Sequence, residues 1–316
     1  MESLGELLSQ MQSPKLKARS ERLVQELFDD PIIQELMAEH PELTRSQLTL
    51  HLGKLYQYTK DCRNCAACPG LERCPNDFQG HYTKLTVETV TATPELYERK
   101  VPCPKQLAFQ RETEIRKRIR SFYIDERALN EGYNAVEIVS KDKNRAPAVG
   151  QVMQYIQYTK ENGLPNRGLY LKGHFGTGKT FLMSYMLYEL ATSGYTGVIV
   201  YMPEFVEEVK YVMQDNQRLK EMVETMKQAD LLVFDDIGAE NLNPWVRDHV
   251  LGSILNYRMN RRPTFYTSNY DLPALEQHLS FTSKDGEEAY KGQRLMDRIA
   301  PFVELVTVNG SNQRRA

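Results

Sequence analysis

Apolar residues recur at helical spacing near the start of the chain: Leu4, Leu7, Leu8 and Met11, then Leu23, Leu27, Ile33, Leu36 and Met37, then Leu48, Leu52 and Leu55. That period predicts short amphipathic helices over residues 3–58, with Pro31 and Pro41 marking breaks between them, packed as a small bundle around the shared stripe. Polar and apolar positions then alternate over 85–92, the signature of a strand able to form one arm of a hairpin. From residue 126 the pattern changes. Apolar runs at 168–171, 197–202, 231–234, 264–267 and 302–308 alternate with helical stretches, which predicts an α/β fold: a parallel sheet with helices on both faces and its ligand at the carboxyl ends of the strands.

One of those ends carries the clearest chemistry in the chain. The strand 169–172 runs into Gly173-His174-Phe175-Gly176-Thr177-Gly178-Lys179-Thr180 and then into a helix expected from Lys179 to about Ala191. These residues fit the nucleotide-binding P-loop. Its glycines let backbone N–H groups close around phosphate oxygens, its lysine reaches the β and γ phosphates, and its threonine hydroxyl ligates Mg²⁺. The helix N-terminus adds its dipole at the same anion. About fifty residues on, 231–234 runs out into Asp235 and Asp236. There Asp235 would hold Mg²⁺ and Asp236 would polarise the attacking water. A third strand ends in Thr267-Ser268-Asn269, whose amide can orient that water or touch the γ-phosphate. In a helix further on, Arg294 and Arg298 stand at i, i+4 spacing on one face, as an arginine finger for a neighbouring subunit would.

Length and charge refine this picture. The 316 residues suggest two domains; 41% hydrophobic and 26% charged residues are a globular balance. A net charge of −2 supplies no global basic field, so contact with nucleic acid would need a local patch. Two stretches could supply one: Arg111, Arg116, Lys117, Arg118 and Arg120 in a basic helical segment over 106–121, and Lys210, Tyr211, Arg218 and Lys220 in a helical insertion. No apolar run approaches the ~18–20 residues that cross a bilayer, and the first residues lack the order of a signal peptide. The expectation is a cytoplasmic protein without a membrane partner.

All five cysteines lie between Cys62 and Cys103. In a reducing compartment such clustering favours metal over disulfides. Overlapping C-x-x-C knuckles can bring two thiolates to one Zn²⁺, and a hairpin can return a distant cysteine to complete the shell. Cys65, Cys68, Cys74 and Cys103 are the favoured set, with His81 as alternate ligand and Cys62 as a competitor.

In order and spacing, the P-loop, Asp235–Asp236, Asn269 and Arg294/Arg298 resemble the AAA+ ATPases. Gly173–Thr180, the run from Phe234 to Glu240, Trp245 to Asp248, Arg294 to Ile299 and the cysteine-bearing front are similar to the family of bacterial replicative helicase loaders typified by DnaI, related to DnaC. The resemblance implies a helicase-binding domain with a zinc site over 1–104, a basic helical linker over 105–125 and an AAA+ domain over 126–316, with sheet order 5-1-4-3-2. It also implies ATP, Mg²⁺ and Zn²⁺ as cofactors. Implied partners are the hexameric replicative DNA helicase, single-stranded DNA, other primosome proteins, and further copies of the chain in the loading complex. Two departures stand out. Asp236 takes the place of a glutamate common in AAA+ proteins, which implies slow turnover, and only eighteen residues follow Arg298, too few for the usual helical lid. The competing readings are an IstB-like transposition ATPase adaptor and a zinc-dependent interaction module that uses ATP as a structural ligand.

Overall fold

A computed structural model describes residues 14–90, 93–122, 143–282 and 284–312. Leu4, Leu7, Leu8 and Met11 of the expected first helix, and the expected boundary at 125–126, lie outside them. The chain divides into two compact units, Met1–Glu112 and Thr113–Ala316.

In the first unit, helices α1 (Pro14–Phe28), α2 (Pro31–Glu39), α3 (Arg45–Thr49) and α4 (Leu52–Ala66) precede an antiparallel hairpin, β1 (His81–Val90) and β2 (Thr93–Pro102). Pro31 interrupts and also initiates: it sits in the first turn of α2, where a missing N–H costs nothing, and the Asp30 carboxylate caps that helix by accepting the Ile32 N–H at 3.0 Å. Thr44 and Gln47 cap α3 reciprocally. Phe28, Ile33, Leu36, Leu43, Leu48 and Leu55 form the core, closed by Leu85 and Leu96 of the hairpin. Leu23, expected among them, is exposed. Buried Asp61 pins α4 to the hairpin, accepting the Thr83 N–H and O–H at 2.8 Å each and the Lys100 ammonium at 2.9 Å. Burial pushes its carboxyl upward, but the Lys100 and Thr83 bonds outweigh that and hold it below the usual range.

Helix α5 (Pro104–Lys117) spans the boundary. It stops short of residue 121, because Ile119–Phe122 forms a strand, β3, at the edge of the second unit's sheet. This corrects the expectation of a helical linker over 105–125. Ile119 and Phe122 pack against opposite faces of the sheet core, while Arg118 donates to the Ala191 carbonyl at 2.8 Å.

The sheet has six parallel strands in the order β10-β4-β7-β6-β5-β3, where β4 is Gly168–Lys172, β5 Gly197–Tyr201, β6 Leu231–Asp235, β7 Thr264–Ser268 and β10 Val303–Thr307; the short strands β8 (Phe281–Thr282) and β9 (Gly286–Glu287) pair antiparallel with each other. Side chains leave alternate faces. Leu169, Leu171, Ile199, Leu231, Val233 and Phe265 meet α6 (Ala146–Asn162) and α7 (Lys179–Thr192), whereas Tyr170, Val198, Val200, Leu232, Phe234 and Tyr266 meet the helices of the other side. These are α8 (Met202–Val212), α9 (Asn216–Gln228), α10 (Gly252–Arg258), α11 (Leu272–Ser280) and α12 (Ala289–Met296). Beyond β10 the described residues, to Asn312, contain no helix.

Candidate functional site

The carboxyl ends of β4, β6 and β7 lie side by side, so three loops open at one edge. From β4 the chain turns through Gly173–Gly178. Gly176 and Gly178 have φ of 74° and 94°, values an L side chain resists, and Gly178 caps α7 from that left-handed conformation. Lys179 is buried, and its ammonium donates to the Gly173 carbonyl at 2.8 Å, the His174 carbonyl at 3.0 Å and Asn269 Oδ1 at 2.8 Å. The amide after β7 thus meets the P-loop lysine directly.

Next to it, the Thr180 hydroxyl donates to Asp235 Oδ2 at 3.0 Å, and the Thr267 hydroxyl donates to Asp235 Oδ1 at 2.7 Å. The Asp236 N–H in turn donates to Thr267 Oγ1 at 2.9 Å. Burial pushes the Asp235 carboxyl above its usual range, with the Thr267 and Thr180 bonds pulling the other way. A divalent cation beside Thr180 would reverse that balance. Asp236 has a φ of 56°, a conformation aspartate tolerates, and Asn269 Nδ2 donates to its Oδ1 at 3.4 Å.

Thr267 is the residue sequence reasoning passed over. It is buried and holds both aspartates, and only its place one strand away from them in space would have announced it.

Arg294 and Arg298 stand outside this cluster. They share a polar recess of about 290 Å³ with Asp248, His249, Ser253, Asn256 and Lys291. Asp248 and His249 belong to a π-helical turn, Val246–Leu251. Lys291 is paired with Asp248 at 2.7 Å. Burial and then the neighbouring Arg294 push the Arg298 guanidinium below its usual range.

Two of the four residues considered for DNA in the insertion are engaged by the protein itself: Lys210 with Glu207 and the Asn241 carbonyl, Arg218 with Glu208. The insertion is chiefly a packing element, since Phe205, Val206, Val209, Val212, Met222 and Met226 are buried in the sheet core. Tyr211 is 81% exposed.

In the first unit, all five cysteines and His81 line one cavity of about 470 Å³. The β1–β2 hairpin returns Cys103 to Gly80, whose carbonyl accepts the Cys103 N–H at 2.8 Å. Four sulfurs accept hydrogen bonds: Cys65 from Asn76 Nδ2 at 3.5 Å, Cys68 from Lys105 Nζ at 3.4 Å, Cys74 from the Gly80 N–H at 3.3 Å and Cys103 from the Gln106 N–H at 3.4 Å. The Gly70 N–H and then Lys105 hold the Cys68 thiol below its usual range, while burial pushes Cys62 and Cys65 up. No three His, Cys, Asp or Glu side chains among the described residues converge on a single metal position. Cys62 and Cys65 lie one turn apart on α4 and Cys68 follows just beyond its end, so the thiols line the cavity without meeting at one point.

The family model "Primosomal protein DnaI N-terminus" matches residues 1–93, and "AFG1-like ATPase" matches 111–256. Replicative helicase loader DnaI of Bacillus subtilis (strain 168) is 33% identical over 317 residues, covering 99% of each chain. The chain belongs to the DnaI family. A crystal structure of DnaI, 31% identical, superposes with a TM-score of 0.51 and covers 65% of this chain and all of that one. A protein described as a primosome component from Streptococcus pyogenes serotype M3, 28% identical, gives 0.50 over 64% and 98%. Family membership and the ATPase match accord with an α/β nucleotide-binding unit of AAA+ type. No helix of the described residues is long and apolar enough to cross a membrane.

Proposed function

We propose that the protein is a cytoplasmic, ATP-dependent loader of the replicative DNA helicase. In this reading residues 1–104 bind the hexameric helicase, and the unit beyond binds ATP, Mg²⁺ and single-stranded DNA within a primosome in which copies of the chain adjoin. The observation that carries it is the full-length similarity to a protein named as a replicative helicase loader. Because the match includes the front unit, it favours this reading over a transposition adaptor sharing only the ATPase motifs.

The site residues have clear tasks in that reading. Backbone N–H groups from Gly173 to Thr180 and the Lys179 ammonium hold the phosphates. Thr180 and Asp235 would hold Mg²⁺, which would supply positive charge beside the phosphoryl group in transfer. Asp236 accepts the proton of the attacking water, which Asn269 orients, and Arg294 and Arg298 reach a neighbouring copy's nucleotide.

The test uses the immobilised full chain and the purified hexameric helicase of the same organism. Retention of the helicase, followed by ATP-dependent transfer to circular single-stranded DNA, is expected. A helicase that passes through in every nucleotide state would rule the loader out, and stable binding to duplex DNA instead would favour the adaptor.

A zinc ion held by Cys65, Cys68, Cys74 and Cys103 belongs to the same proposal, with His81 as alternate. The donor set supports it: each of those sulfurs accepts an N–H bond, which stabilises thiolate charge. The thiols must still swing together across the cavity they line. Metal analysis of protein purified without chelators is expected to give about one zinc per chain, abolished when Cys65 and Cys68 are both serine. A metal-free, fully folded chain would remove the ion from the proposal.

A further inference from the structure

Three arginines among the described residues are buried: Arg145, Arg247 and Arg258. Removing a guanidinium from water is costly unless acceptors surround it. Arg258 meets that demand with the Thr264 hydroxyl and the carbonyls of Met226, Lys227, Ala229, Asp230 and Pro263. Arg247 meets it with Asp248 and Glu288. Arg145 has neither arrangement. It is 4% exposed, and among the described residues its one hydrogen bond runs from Nη2 to the Ser311 carbonyl at 3.3 Å and its buried Nε has no partner.

What lies beside it is the phosphate loop. A Cβ added to Gly178 would meet Arg145 Nη1 at 3.5 Å and Cζ at 3.8 Å. Gly178 caps α7, so the free N–H groups of that helix's first turn open at the same place. The segment after β10 closes another side: a Cβ at Gly176 would collide with Asn312 Oδ1, and one at Gly173 with the Val308 carbonyl.

We propose that Arg145 is a nucleotide-binding residue whose counter-charge is a phosphate of the bound nucleoside di- or triphosphate. This rests on reading Gly173–Thr180 as a nucleotide site. The Ser311 carbonyl holds Nη2, and Nη1, the guanidinium nitrogen nearest Gly178, is the donor presented to a phosphate oxygen at the loop. Lys179 bonds to Asn269 and Thr180 to Asp235, and Arg145 bonds to none of them; it reaches the loop from the turn Lys143–Arg145 that opens α6. Its Nη1 lies at Gly178, in the loop whose N–H groups cradle the α and β phosphates, so the contact is with a phosphate that ADP and ATP both carry.

The experiment titrates full-length parent, Arg145→Gln and Arg145→Lys chains with ADP and with ATP, and records thermal midpoints with and without ADP. Arg145→Gln is expected to weaken both nucleotides by a similar factor, about tenfold to a hundredfold, the worth of a charge-assisted hydrogen bond. Its midpoint without nucleotide should be retained, because a neutral amide relieves a buried charge, while the stabilisation by ADP shrinks. Arg145→Lys should restore part of the affinity, and it decides the matter if the glutamine variant does not fold. A variant that folds and binds ADP as tightly as the parent overturns the inference alone. A parent that takes up no nucleotide overturns the reading of the loop and the inference with it.

Discussion

Arg298→Ala is expected to leave nucleotide binding intact and to lower the assembly-stimulated ATPase rate by about 10³-fold or more, the range over which an arginine finger acts. Lys179, Thr180, Asp235 and Asn269 bond within the candidate nucleotide site, and neither Arg294 nor Arg298 is among their partners. Instead these two guanidinium groups share a polar recess on α12 and the turn after it, where burial and mutual repulsion make Arg298 an unfavourable charge. An anion from a neighbouring copy would relieve that cost, and only when subunits adjoin. Hydrolysis should accordingly rise faster than linearly with protein concentration, or on addition of helicase or single-stranded DNA that gathers the chains. Mixing Arg298→Ala with Lys179→Ala chains supplies interfaces that pair an intact P-loop with an intact arginine from the other chain. Recovery of activity in the mixture is the expected result; undiminished stimulated turnover by Arg298→Ala alone would make this arginine an ordinary surface residue.

Asp235→Asn is expected to act in opposite directions on stability and on catalysis. Burial raises the Asp235 carboxyl above its unfolded value, so the folded chain binds more protons than the unfolded one as pH rises through the ordinary carboxylate range. By linkage, stability falls across that interval and stays lowered above it. An asparagine can keep partners for the Thr180 and Thr267 hydroxyls without the buried charge. The thermal midpoint at neutral pH should rise, by about 2–4 °C for each kcal/mol recovered in a unit of this size. The advantage should vanish below about pH 4, where the parent's carboxyl is protonated as well. The same change removes a ligand for Mg²⁺, whose stabilisation of transition-state charge amounts to several kcal/mol, so turnover should fall by about 10²-fold or more. A lowered midpoint at neutral pH would count against a destabilising buried carboxylate; unchanged Mg²⁺-dependent turnover would remove Asp235 from the cation site.

The alternation of apolar runs and helical stretches from residue 126 determined the parallel sheet, because strands covered on both faces must be apolar throughout. The spacing of Gly173, Gly178, Lys179 and Thr180 determined the phosphate loop, since glycine lets the backbone turn with positive φ at Gly178 and pass close to the Val308 carbonyl at Gly173. Those signals are local, and a local signal can be read along the chain. Strand β3 could not be read that way. Ile119–Phe122 follows a strongly helical, basic stretch without a break, and it is a strand because β5 offers an unpaired edge and the sheet core takes Ile119 and Phe122. The insertion was legible as helices but not in its role: the buried face of α8 and α9, not the charges between them, explains its composition. The cysteine cluster was legible as a cluster, whereas the path of α4 and the return of the hairpin decided which sulfurs accept which N–H groups. Thr267 and Arg145 belong wholly to tertiary structure. Each is an unremarked residue in sequence, far from the aspartates or the P-loop it attends: Thr267 acquires its task because a parallel sheet gathers the ends of non-consecutive strands at one edge, and Arg145 because the turn that opens α6 lies against Gly178.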